Sequence, residues 1–130
     1  MNKNIIIILM LLKVASLENK SSVLVKKKKS NFILLTSLYK EGFIQNFLQL
    51  ESLNIFKSKC LISLRYSFLK PIFLNLKLLS KPSKYINLRF SDICLLYSKK
   101  HILFLSTPKG ILTLLECKMH GIGGTALFIC

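Results

Sequence analysis

Chemistry needs nucleophiles, proton carriers or metal ligands, and this chain has few. Five carboxylates and two histidines occur in 130 residues. The four cysteines are Cys60, Cys94, Cys117 and Cys130, separated by 34, 23 and 13 residues. There is no C-x-x-C pair, so the spacing does not signal a zinc ribbon. Cys117 and His120 stand at i, i+3, a ligand-like spacing that Cys94 and Cys130 could complete. The preferred reading is packing: Cys60 and Cys94 lie in apolar runs and behave as small hydrophobes. An enzyme would have to use Cys117 with His120, or Asp92 alone, and no oxyanion or cofactor motif accompanies them. We expect no catalytic residue, no metal, no cofactor and no small-molecule substrate.

The charge is more informative. Twenty Lys+Arg against five Asp+Glu give +15, while 52% of the residues are hydrophobic. That is too much apolar material for a disordered basic tail. It is enough for a real core. The expectation is a folded protein neutralised by a polyanion. Residues 1–65 carry eleven basic and three acidic groups, and residues 66–130 carry nine and two. Both halves should therefore face the anion. The run Lys26, Lys27, Lys28 and Lys29 precedes Ser30-Asn31-Phe32, where Phe32, Leu35, Leu38 and Tyr39 begin a helical spacing. A helix over 27–41 follows, ended by Glu41-Gly42, where Gly supplies a left-handed cap. Lysines at a helix N-terminus oppose the macrodipole unless an anion sits there too. A solvated face is the plainer reading of one short Lys run.

Other elements must position these groups. Ile5 through Leu12 is an unbroken apolar run of eight. A membrane span needs ~20 such residues, so none is expected here. Lys3 before it and Val14-Ala15-Ser16 after it imitate a short signal peptide. The buried face of a first helix is preferred. Phe43-Ile44 with Phe47-Leu48 reads as a strand. Lys59 to Tyr66 alternates, with Cys60, Ile62, Leu64 and Tyr66 on one face. Phe68 to Leu79 reads as extended, and Ser80-Lys81-Pro82-Ser83 as a turn. Ser91-Asp92 should cap a short helix reaching about Lys99. His101 to Leu105 is a strand, Ser106 to Gly110 a tight turn, and Ile111-Leu112 a new strand. Thr113 should cap a further helical turn ended by Gly121, before a terminal strand from Thr125 to Cys130. The order is that of an α+β fold with mixed or antiparallel sheets. The nine Phe and four Tyr fall mostly in apolar positions and are expected in the core. Tyr85, beside basic residues, is the exception.

Five short motifs now occur in one order. They are Lys40-Glu41-Gly42-Phe43-Ile44, Ser80-Lys81-Pro82, Ser106-Thr107-x-Lys109-Gly110, Gly121-Ile122-Gly123-Gly124, and Met10-Leu11 with Lys13 ahead of Asn19-Lys20. In this order they resemble the small-subunit ribosomal protein eight family of bacteria and organelles, from about Met10 to the end. Four positions depart from that family's pattern. Pro108 stands for a Ser, Thr125 for a Glu, Ser83 for a Gly and Asn87 for a Tyr.

The resemblance implies two small lobes, 1–68 and 69–130, the second of which binds rRNA. It makes Ile5–Leu12 part of a first helix. It implies a structural constituent of the small ribosomal subunit that is a primary binder of a central-domain rRNA stem and supports assembly and translation beside neighbouring ribosomal proteins. Gly121, Gly123 and Gly124 would let backbone approach sugar and phosphate. Ser106 and Thr107 bear hydroxyls that suit ribose 2′-OH groups, and Ser80, Gly110 and Thr125, in or beside these turns, would also contact the RNA. Lys13, Lys81, Lys84, Lys109 and Lys26 to Lys29 would meet phosphates. Only two Ala and three Val occur among many Ile, Leu, Phe, Lys and Asn. That bias suits an A+T-rich genome, hence an organellar ribosome, mitochondrial first and plastid second. The alternative is a basic membrane-surface protein anchored by Ile5–Leu12.

Overall fold

The computed structural model describes residues 3–50, 59–68, 70–80, 83–96 and 101–130. The chain forms two compact units, Asn2–Leu74 and Asn75–Cys130.

The first unit opens with helix α1, Lys3–Leu17. Ile5, Ile8, Leu9, Leu12 and Ala15 are buried, at the i, i+3, i+4, i+7 spacing of one helix face. One face of the apolar run is thus a core element, as expected, while Ile7, Met10 and Leu11 of the same run are exposed. No helix among the described residues is long and apolar enough to cross a membrane. Asn19 ends α1 in the left-handed region, at φ 54. Lys20 N–H bonds the Ala15 carbonyl and Asn19 N–H that of Ser16, which closes the helix. Strand β1 follows at Ser22–Lys26, then helix α2, Lys29–Lys40, which buries Leu34, Leu35 and Leu38. Gly42, at φ 74, gives α2 the same ending, with Phe43 N–H on the Leu38 carbonyl. Strands β2, Ile44–Leu50, and β3, Lys59–Leu64, complete an antiparallel sheet in the order β1-β3-β2. Cys60, Ile62 and Leu64 are buried as their alternation requires.

Between residues 68 and 79 the extended reading holds at Lys70–Pro71 and Lys77–Leu78 and fails between them. A two-residue hairpin, β4 (Tyr66–Ser67) with β5 (Lys70–Pro71), leads into a 3-10 helix, Ile72–Asn75. Phe68 sits beside β4 at φ 48 and is exposed. Phe73 and Leu76 are both buried. Their three-residue separation matches one face of a 3-10 turn, which an alternating strand could not satisfy.

In the second unit, β6 (Lys77–Leu78) and β7 (Ile86–Leu88) both pair with β10, Gly124–Ile129. On its other edge β10 pairs with β8, Leu103–Thr107, which pairs with β9, Gly110–Thr113. Helix α3, Phe90–Leu95, is shorter than expected, and residues 97–99 of the expected helix lie outside the described residues. Asp92 caps it from within the first turn, its carboxylate accepting the Arg89 N–H at 3.0 Å. Helix α4, Leu114–His120, has the expected Thr113 cap, with Glu116 N–H bonding the Thr113 hydroxyl at 3.4 Å and Gly121 left-handed at φ 65. Ile93, Leu103, Leu105, Leu114, Cys117 and Ala126 form one core cluster. Phe104 and Phe128 are also fully buried and stack at 4.6 Å. Burial on both faces explains why Leu103-Phe104-Leu105 reads as a continuous apolar run.

Cys60, Cys117 and Cys130 are buried, but Cys94 is exposed, contrary to its reading as a packed hydrophobe. Burial raises all three buried thiols. For Cys60, Lys27 opposes the effect. For Cys117, Glu116 adds to it. The Cys130 thiol is pushed up to about 11. A short maleimide pulse at neutral pH should therefore give a single adduct, at Cys94, by mass spectrometry. The other three should react only after unfolding. Rapid labelling of Cys117 or Cys130 in folded protein would contradict this core.

Candidate nucleic-acid interface

The hydroxyl-bearing bend is the β8–β9 hairpin. Thr107 pairs with Gly110 across it, and the Thr107 hydroxyl donates to the Gly110 carbonyl at 2.9 Å. Gly110 has φ 124, a conformation open to few residues with a side chain. Pro108 and Lys109 are exposed at the tip.

Register adds what the one-dimensional pattern does not contain. Thr125 lies opposite Asn87 on one side and Ser106 on the other. Directly opposed residues of antiparallel strands project from the same face. Asn87, Thr125 and Ser106 therefore form one polar row across β7, β10 and β8. The Thr125 hydroxyl donates to the Asn87 side-chain carbonyl at 2.8 Å. Thr125 and Asn87 are two of the four departures noted above, and the fold makes them bonded neighbours. Asn87 was missed as a site residue. Its signal was the second polar departure, which register alone could link to the first.

Two of the glycines also do packing work that the sequence pattern does not reveal. A Cβ on Gly123 would lie 2.7 Å from the Leu88 carbonyl oxygen, and one on Gly124 would lie 2.6 Å from that of Ser106. Both therefore seat the start of β10 against the protein's own backbone. Gly121 is the left-handed cap of α4, with nothing within 4 Å of a built Cβ. Ser80 must be corrected. It is fully buried, donates to the Ala126 carbonyl and accepts from the Ile86 N–H at 3.1 Å. Its hydroxyl pins β10 to the segment entering β7 and cannot reach RNA. Lys81 lies outside the described residues, as does Pro82 of its turn.

The cations divide between the units. Lys84 and Lys109 are exposed in the second, alongside Tyr85. In the first, Lys26 to Lys29 are exposed and Lys13, on α1, is half-buried. Lys28 is the N-cap of α2 without a side-chain cap bond, and the first turn holds no acidic residue. Lys28 also reaches the Asn4 side-chain oxygen at 3.0 Å. Among the described residues no group of three or more His, Cys, Asp or Glu could hold a metal ion.

The basic charge and the polar, hydroxyl-bearing row suit a nucleic-acid partner. Comparison with known proteins narrows it. The profile of ribosomal protein S8 matches residues 4–130. The chain is 36% identical over 117 residues to small ribosomal subunit protein uS8c of Tetradesmus obliquus, spanning 87% of this chain and 86% of the relative. It is 36% identical over 107 residues to uS8m of Acanthamoeba castellanii (81% and 80%). It is 33% identical over 117 residues to uS8 of Vesicomyosocius okutanii (83% and 86%). The chain belongs to the ribosomal protein S8 family. It is a structural, non-enzymatic constituent of the small ribosomal subunit that binds rRNA.

Gly124→Ala should destabilise the protein by roughly 1–3 kcal/mol, because the added carbon meets backbone that cannot swing aside. Urea unfolding measures this. A midpoint equal to that of the unmodified chain would show that β10 can shift without cost.

Proposed function

We propose that this protein is a primary binder of a central-domain stem of small-subunit rRNA, gripped mainly by the unit Asn75–Cys130. The observation that supports this most directly is the row Asn87, Thr125 and Ser106. An RNA minor groove is wide and shallow and displays 2′-hydroxyls. The Thr125 proton is already given to Asn87, so the Thr125 oxygen is set to accept from a ribose. The Asn87 amide nitrogen donates, and the Ser106 hydroxyl does both. Pro108 fixes its own φ and stiffens the adjoining bend. Thr107, Lys109 and Gly110 approach from that bend. Gly121, Gly123 and Gly124 precede Thr125 in the chain, and Lys84 precedes Asn87. Lys13 and Lys26 to Lys29 supply phosphate contacts from the other unit. Neighbouring small-subunit proteins are the remaining partners, and the stem contact supports assembly.

The ribosome is organellar in this reading, mitochondrial by preference and plastid second. Support comes from the A+T-type composition and from likeness to the uS8m and uS8c proteins at 36% identity each.

Ser106→Ala combined with Thr125→Ala should cost roughly 1–3 kcal/mol of stem affinity and leave the salt slope unaltered. Changing Lys26 to Lys29 to Gln should instead flatten that slope by ~0.7–0.9 for every phosphate contact removed. Filter binding across a salt series separates the two. Stem affinity that ignores both changes would reject these contacts.

A further inference from the structure

Three aromatic side chains of the first unit, expected in the core, meet at its surface. Phe32 and Tyr39 on α2 are 39% and 49% exposed. Between them stands Phe47 of β2, with ring centroids 5.6 Å from Phe32 and 5.8 Å from Tyr39, each pair edge to face. Scattered exposed aromatics are ordinary. These three are ordered against one another, and Tyr39 also lines an open groove of about 720 Å³ with Gln45, Arg65 and Tyr66. That size lies within the range of small-ligand clefts, about 300–1,000 Å³.

The groove walls are held from behind. The Arg65 guanidinium donates to the Gly42 carbonyl at 3.1 Å. Glycine suits this position because its φ of 74 lies in the left-handed region. The Tyr66 hydroxyl donates to the Lys20 carbonyl at 2.6 Å. Arg65 thus presents the rest of a planar, five-donor group to the groove. Gln45, which is exposed, offers both a donor and an acceptor. Among the described residues no carboxylate lines the groove, and Lys40 is exposed at the end of α2, ahead of Glu41.

From these features we propose that the Tyr39–Arg65 groove binds an unstacked nucleotide of a single-stranded RNA segment. The base lies on the Tyr39 ring, its edge meets Gln45, and Arg65 faces the base or its phosphate. Aromatic faces accept any base, and a guanidinium stacks on a base or binds phosphate. An acidic peptide would use the cations but leave the ring face and the neutral amide without purpose. This contact is separate from the stem contact proposed for the second unit, and it fails or stands by itself.

The test uses the full chain and fluorescein-labelled hexaadenylate, read by anisotropy at fixed salt. Tyr39→Leu should weaken binding five- to fifty-fold without changing the salt slope, and Gln45→Ala three- to tenfold. Tyr85→Leu, in the other unit, should have no effect. A hexamer lacking its bases should bind wild type and Tyr39→Leu equally weakly, and affinity for a double-stranded stem should not move. Gln45 is exposed, so its variant keeps the test valid if Tyr39→Leu unfolds. The proposal is overturned if both variants bind hexaadenylate like wild type, or if the baseless hexamer binds as well as hexaadenylate. It is also overturned if a hexaglutamate peptide competes for the groove in a Tyr39-dependent way, which would assign it to a protein.

Discussion

At the start of β10 the backbone runs so close to neighbouring carbonyls that no side chain fits between them. A Cβ at Gly123 or Gly124 would come within 2.7 Å of the Leu88 oxygen or 2.6 Å of the Ser106 oxygen. With hydrogen there instead, β10 lies in register with β7 on one side and β8 on the other. The buried Ser80 hydroxyl ties the same strand to the chain entering β7. The polar row depends on this seating. Asn87, Thr125 and Ser106 come from positions 87, 106 and 125, and only close lateral pairing puts them on one surface. The glycines thus act on the polar row through the position of the strands.

Electrostatics complements that geometry. Several carboxylates are used within the fold: Asp92 caps α3, Glu116 caps α4 by accepting the Thr113 N–H, and Glu18 pairs with Lys20 at 2.5 Å. Such local uses do little to offset +15. Exposed lysines in both units are left for an external polyanion, as counterion release favours. The cysteines serve packing in three positions of four, where burial raises the thiols.

Much of this was legible in one dimension because the signals are local. The left-handed caps at Gly42 and Gly121 are set by the steric freedom of glycine, wherever the rest of the chain lies. The Thr113 cap and the alternation of Cys60, Ile62 and Leu64 are likewise decided within a few residues. Where the reading failed, a distant partner intervened. Residues 72–75 form a 3-10 turn because Phe73 and Leu76 must both be buried. Ser80, in a turn with a polar sequence, is buried because β10 lies over it. Phe32, Tyr39 and Phe47 reach the surface because α2 and β2 meet there.

The sequence by itself determined the charge, the α+β order, the family and which bends carry hydroxyls and glycines. Each is a property of composition or of a few consecutive residues. Tertiary structure alone decided which hydroxyls face outward, which glycines touch protein backbone, and that Asn87 bonds Thr125. Those outcomes rest on lateral strand register, and hydrogen bonds across a sheet link residues far apart in the chain without leaving a local mark.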